Sequence, residues 1–155
     1  PVHRESDGAS DAIESAVKLL ELGHCVGVYP EGTLTRDENL WPMVAKTGAA
    51  RIAIKTGAPV IPVAQWGDQN FIPRYSKKVG WYKRHKVSMV AGKPIDLSKW
   101  HDKADEPAAM KEATAHIMRE ITKLLEGIRR ESAPTTIFDP HESGLPRFGN
   151  PKKAK

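Results

Sequence analysis

Twice between Ser10 and Ala64 an amphipathic run stops at a glycine and gives way to a short apolar run. In the first unit Ile13, Val17 and Leu20, with Ala16 more loosely, recur at helical spacing, and Gly23 stands where a left-handed cap would end the helix. Ser10 or Asp7 can cap its start. Residues 24–29 are then a valine- and aromatic-containing run between glycine and proline, which predicts a buried strand. The second unit repeats the order, with a helix over 47–55, Gly57 closing it, and a strand over 59–64. Two prolines place that strand at an edge or an end. Helix and strand in alternation predict an α/β domain, a mixed and largely parallel sheet flanked by helices.

Residues 31–44 carry no steady period and read as a loop, as do 66–84. A third strand is expected over 87–91. Glu106-Pro107 opens the longest helix, with proline in its first turn. Met110, Ala113, Ile117, Ile121, Leu124 or Leu125, and Ile128 form its core stripe. His116 on that helix reads as a surface or edge residue. After Glu131 come Pro134, Pro140, Pro146 and Pro151 in a polar stretch ending in lysines. We therefore expect a folded portion over 1–131 and a proline-rich basic tail over 132–155 that is disordered or loosely draped.

At 155 residues, 39% hydrophobic and 28% charged, the chain has material for one domain with its own core. A net charge of +5 favours anionic partners, whether phosphate substrates, acidic lipid or nucleic acid. The single cysteine, Cys25, allows no intrachain disulfide and is expected to be a buried small hydrophobe. No apolar run reaches the ~18–20 residues that span a bilayer. His, Cys and Asp nowhere cluster at metal-ligand spacing, so neither metal nor cofactor is expected.

The chemistry concentrates where the first predicted strand ends, in Tyr29-Pro30-Glu31-Gly32-Thr33. The crevice beyond strand carboxyl ends is the usual ligand site of open α/β sheets. Proline stops pairing at a fixed point, glycine lets backbone amides approach an anion, and the threonine hydroxyl can donate to phosphate. Glu31 is better suited to orienting a cation or a hydroxyl than to touching phosphate. An isolated Pro-Glu-Gly-Thr could equally be a polar turn. Its neighbours add Arg36, Lys46-Thr47-Gly48 at a helix start, and the apolar run Val60-Ile61-Pro62-Val63.

This ordered set resembles the lysophosphatidic acid (1-acylglycerol-3-phosphate) acyltransferase family. Tyr29–Thr33 matches its third motif and Val60–Val63 its fourth, and Pro1-Val2-His3-Arg4 is similar to the tail of the second. The resemblance covers roughly residues 1–97 and implies transfer of a fatty acyl group from acyl-CoA or acyl carrier protein to a glycerophosphate hydroxyl. It also implies that Arg4, Glu31, Gly32 and Thr33 hold the acceptor phosphate. The family commonly has arginine directly after Glu-Gly-Thr, whereas Leu34 stands here. Arg36 is the expected substitute, on the side of Gly32 and Leu34 if the chain is extended, and Lys46 is a second candidate.

The family's base is a histidine with aspartate five positions on, which orients the imidazole. Five positions after His3, His24, His85, His101, His116 and His141 stand Gly8, Tyr29, Val90, Glu106, Ile121 and Pro146. No catalytic residue is therefore assigned within this chain. The motif is expected before Pro1, in a missing N-terminal part, and the isolated chain is expected to be inactive. Residues 74–86, from Arg74 to Lys86, hold six Lys or Arg, no acid, and interleaved Tyr75, Trp81 and Tyr82. They suit a membrane interface, single-stranded nucleic acid, or a plain solvated loop. With the family resemblance, we expect a glycerophospholipid acceptor, an acyl donor, a membrane surface at 74–86 and no nucleic acid. The corresponding location is the cytoplasmic face of a membrane, peripheral or anchored by the missing segment. A non-catalytic module binding phosphate or acidic lipid is the other reading, as is acylation of a different lysolipid or glycolipid.

Overall fold

A computed structural model describes residues 8–76 and 83–144. Helix α1 spans Gly8–Glu21, α2 Gly48–Thr56 and α3 Pro107–Arg129. Their ends follow the local chemistry. Gly57 closes α2 at φ 66°, its N–H donating to the Ala53 carbonyl, and Pro107 begins α3 after Glu106 in extended geometry. At the far end of α3, Arg130 takes the left-handed cap position at φ 56°. A side chain there is strained, so Arg130→Gly is expected to stabilise the fold by about 0.5–1 kcal/mol, read as a raised urea midpoint at constant slope.

Strands β1 (Val63–Trp66) and β2 (Ser88–Ala91) pair antiparallel, Val63 opposite Ala91 and Trp66 opposite Ser88. The pairing extends as Gly92 N–H to the Pro62 carbonyl and a bridge between Val60 and Ile95. α3 lies across both strands, α2 packs on α3, and α1 on α2. The main core gathers Ala50 and Ile54 from α2, Trp100, and Ala109, Met110, Ala113 and Ile117 from α3. A second cluster joins Trp41, Ala64 and Leu125, with Trp66, Leu124, Ile128 and Ala133 against it. The stripe expected on the long helix is thus the one that packs.

The sheet differs from the expected one. The described ladder is antiparallel, whereas a parallel pairing of these two strands would need a crossover connection between them. The second strand starts at Val63, not at residue 59, since Pro59 and Pro62 have no N–H to give a ladder. Residues 24–29 form no strand among the described residues. They are largely exposed, Tyr29 at 87%, and Cys25 is exposed rather than buried. Periodicity and composition identify a segment fit to pair, but pairing requires a partner strand, and no described segment pairs with it.

Beyond α3, residues 132–144 run back along the loop before α2. Met43 and Phe138 form a parallel bridge, Val44 N–H donates to the Phe138 carbonyl at 3.0 Å, and Pro140 is buried.

Candidate functional site

The Tyr29–Thr33 turn is built by its own backbone. Gly32 N–H donates to the Tyr29 carbonyl at 3.0 Å, and Gly32 sits at φ 67°, where a side chain is strained. The chain then returns: Lys46 N–H donates to the Pro30 carbonyl at 3.0 Å, fixing the start of α2 beside the turn. The Lys46 ammonium lies over Gly32, with Nζ 3.3 Å from the point a Cβ on Gly32 would occupy. Of the expected site residues, Gly32 and the exposed Lys46 are therefore brought together, with half-buried Glu31 and Thr33 on either side of Gly32.

Glu31 points its carboxylate inward. Its Oε2 is buried with no hydrogen-bond partner among the described residues. Burial pushes its carboxyl up to about 7, against a smaller lowering by a backbone hydrogen bond from Met43. Near neutral pH a carboxyl of that kind can carry its proton and donate it to an acceptor oxygen.

Arg36 is 4% exposed, whereas Leu34 is 57% exposed, so the two do not share a side. The chain turns between them and the next helix instead of running extended. Thr35 Oγ1 donates to the Trp41 carbonyl at 2.6 Å, Asp37 Oδ2 accepts from Trp41 N–H at 3.1 Å, and Leu40 adopts φ 62°. Arg4 lies outside the described residues, as do residues 77–82 of the basic stretch.

Two arginines from distant parts of the chain bond to this loop. Arg74 Nη1 donates to the carbonyls of Thr35 and of Asp37, the latter at 2.8 Å. It was expected at a membrane surface, but its donors reach the loop backbone. Arg129, at the end of α3, donates to the Asn39 carbonyl at 2.9 Å and stacks between Trp41 and Trp66. The available signal was two tryptophans outside helices, each needing a partner for its ring.

A separate cleft of about 390 Å³ opens between the end of β2 and α3, lined by Lys93, Asp96, His116, Glu120 and Lys123 among others. It shares no lining residue with the 29–46 loop. His116 lies at its edge with its ring 5.6 Å from that of Trp100. Among the described residues no group of His, Cys, Asp or Glu is arranged to hold a metal ion.

Residues 1–66 match the family described as Acyltransferase. The chain is 33% identical over 128 residues to the 1-acyl-sn-glycerol-3-phosphate acyltransferase of Bacillus subtilis, covering 81% of this chain and 58% of that protein. It is 36% identical over 89 residues to a chloroplastic 1-acyl-sn-glycerol-3-phosphate acyltransferase of Brassica napus, covering 57% of this chain and 25% of that one. Against the Borreliella burgdorferi enzyme of the same name it is 35% identical over 71 residues, 45% of this chain and 28% of the relative. No solved structure matches significantly. The chain thus spans somewhat over half of one of these relatives and about a quarter of the other two, and over that shared part it is similar to acyltransferases.

Proposed function

We propose that the protein containing this chain transfers a fatty acyl group from a thioester, acyl-CoA or acyl carrier protein, to the free hydroxyl of 1-acylglycerol-3-phosphate, giving phosphatidate. The observation that carries this reading is the Lys46 ammonium held over the Gly32 turn. It sets a cation against the glycine turn, with the Thr33 hydroxyl next in the chain. That is the donor set a phosphate monoester needs. The names of the relatives support the same acceptor.

In this reading Gly32, Thr33 and Lys46 receive the phosphate, with Arg4 joining them. Arg36 remains the candidate for the arginine replaced by Leu34, and from its buried position it would have to turn outward to meet a phosphate. Glu31 tunes the turn from inside. The base that removes the acceptor hydroxyl proton is a histidine–aspartate pair supplied from outside residues 1–155. The hydroxyl oxygen then attacks the thioester carbonyl, and the thiol leaves. Residues 24–29 belong to the largely parallel sheet of the complete domain, where they would have pairing neighbours.

Contact with the cytoplasmic face of a membrane falls to Lys83, Arg84, Lys86 and the residues before them, since Arg74 holds the loop. Among the described residues no helix is long and apolar enough to cross a bilayer.

Lys46→Ala in the complete protein is expected to raise the acceptor KM about tenfold to a hundredfold, the worth of one charged phosphate contact, with the donor KM unchanged. An unchanged acceptor KM would remove Lys46 from the site. A protein that binds lysophosphatidate but releases no thiol from any acyl thioester would instead favour a non-catalytic binding module.

A further inference from the structure

The loop over residues 35–41 must hold one shape and one place if the turn before it and Lys46 after it are to converge. Its internal hydrogen bonds among Thr35, Asp37, Leu40 and Trp41 shape it without tying it to the rest of the fold. Three of its carbonyls point to arginines from distant parts of the chain. Those of Thr35 and Asp37 accept from Arg74, and that of Asn39 accepts from Arg129. The Arg129 guanidinium carbon lies 3.9 Å from the centre of the Trp41 ring and 4.2 Å from that of Trp66. Trp41 belongs to the loop and Trp66 ends β1. The same guanidinium is bonded to Glu131 at 2.6 Å, and its side chain is only 7% exposed.

We infer that Arg129, assisted by Arg74, is a positioning residue for the acceptor site: it clamps the 35–41 loop to β1 and the end of α3. This deepens the proposed function, and its functional half rests on that reading. The physical basis is the shape of the guanidinium. It is flat, keeps its charge, stacks an indole on each face and still has in-plane N–H groups for the Asn39 carbonyl and Glu131. Lysine offers one ammonium point charge and cannot serve both rings and both acceptors. A clamp so built constrains the loop at Trp41 and Asn39. Arg74 constrains it at Thr35 and Asp37, and Arg36 lies between them.

The test compares Arg129→Ala, Arg129→Lys and Arg74→Lys in the complete protein, with amide hydrogen exchange over residues 36–43 and steady-state kinetics. Arg129→Ala and Arg129→Lys are both expected to speed exchange in that loop about tenfold or more, while the core of α3 stays protected. Both are expected to raise the acceptor KM about tenfold with kcat within about twofold. Arg74→Lys, which keeps a donor for the carbonyls, is expected to show a smaller change in each. Full rescue by Arg129→Lys, or unchanged loop exchange in both Arg129 variants, overturns the clamp. Faster loop exchange with unchanged acceptor KM overturns its positioning role, provided Lys46→Ala still raises that KM. If Lys46→Ala also leaves KM unchanged, it is the phosphate reading that fails. Should Arg129→Ala not fold, Arg129→Lys alone decides.

Discussion

Gly67→Ala is expected to cost about 4 kcal/mol and to lower the melting temperature by roughly 10 °C or more. Gly67 follows β1 at φ 111°, outside the left-handed region that other residues visit. A Cβ there would stand 2.1 Å from the carbonyl oxygen of Lys86 and 3.2 Å from Cα of Val87. Both contacts are backbone, on the strand that enters β2, so no side-chain rotation relieves them. The sheet would have to open at that end or the turn after β1 rebuild. Gly57→Ala is the matched control: φ is 66° and nothing lies within 4 Å, so only the backbone preference, about 1 kcal/mol, is lost. Equal losses in the two variants, measured by urea unfolding, would contradict the close approach of Lys86.

The second large effect is electrostatic. With its folded-state carboxyl near 7 and an ordinary value of 4.5, Glu31 keeps its proton in the folded chain after it has lost it in the unfolded one. Between those values the folded state binds more protons, so stability falls as pH rises from about 4.5 to about 7. The loss is complete above pH 7 and reaches up to roughly 3 kcal/mol. Glu31→Gln cannot ionise and should lack this slope. Its stability relative to the parent should improve steadily from pH 4.5 to pH 7 and level off beyond. The comparison uses urea midpoints across that range, so a constant offset from the new amide cancels. Parallel pH profiles for the two proteins would show that the carboxylate is better solvated than its buried Oε2 indicates.

Legibility from sequence followed the range of the interactions. The three helices were readable because spacing, Gly57 and Pro107 act within a turn or two of the residues they organise. The Glu-Gly-Thr turn was readable for the same reason, and Lys46 because it stands at the start of a helix. Pairing was not. Residues 24–29 have the composition of a strand, but strand formation depends on a neighbour, and the antiparallel β1–β2 ladder depends on how the chain returns after Trp66. Arg74 and Arg129 were least readable. Each bonds to backbone carbonyls, which every residue has, across 37 to 90 positions of sequence. Nothing in the type of the recipient marks it. Arg36 was identified as a candidate, yet its burial follows from the turn at Thr35 and Asp37, not from alternation along an extended chain.

The bridge between Met43 and Phe138 gives the stretch after α3 a mechanical role. Shortening the protein at Glu131 would remove the acceptor for Val44 N–H and uncover Met43, which is 2% exposed, only a few residues before Lys46. A boundary chosen at the end of α3 would keep every described helix and strand, yet unfasten the segment that carries Lys46. For expression, tagging or fusion, the segment through Pro140 therefore counts as part of the site's foundation, and a protease cut between Ser132 and Ile137 should be felt at Lys46.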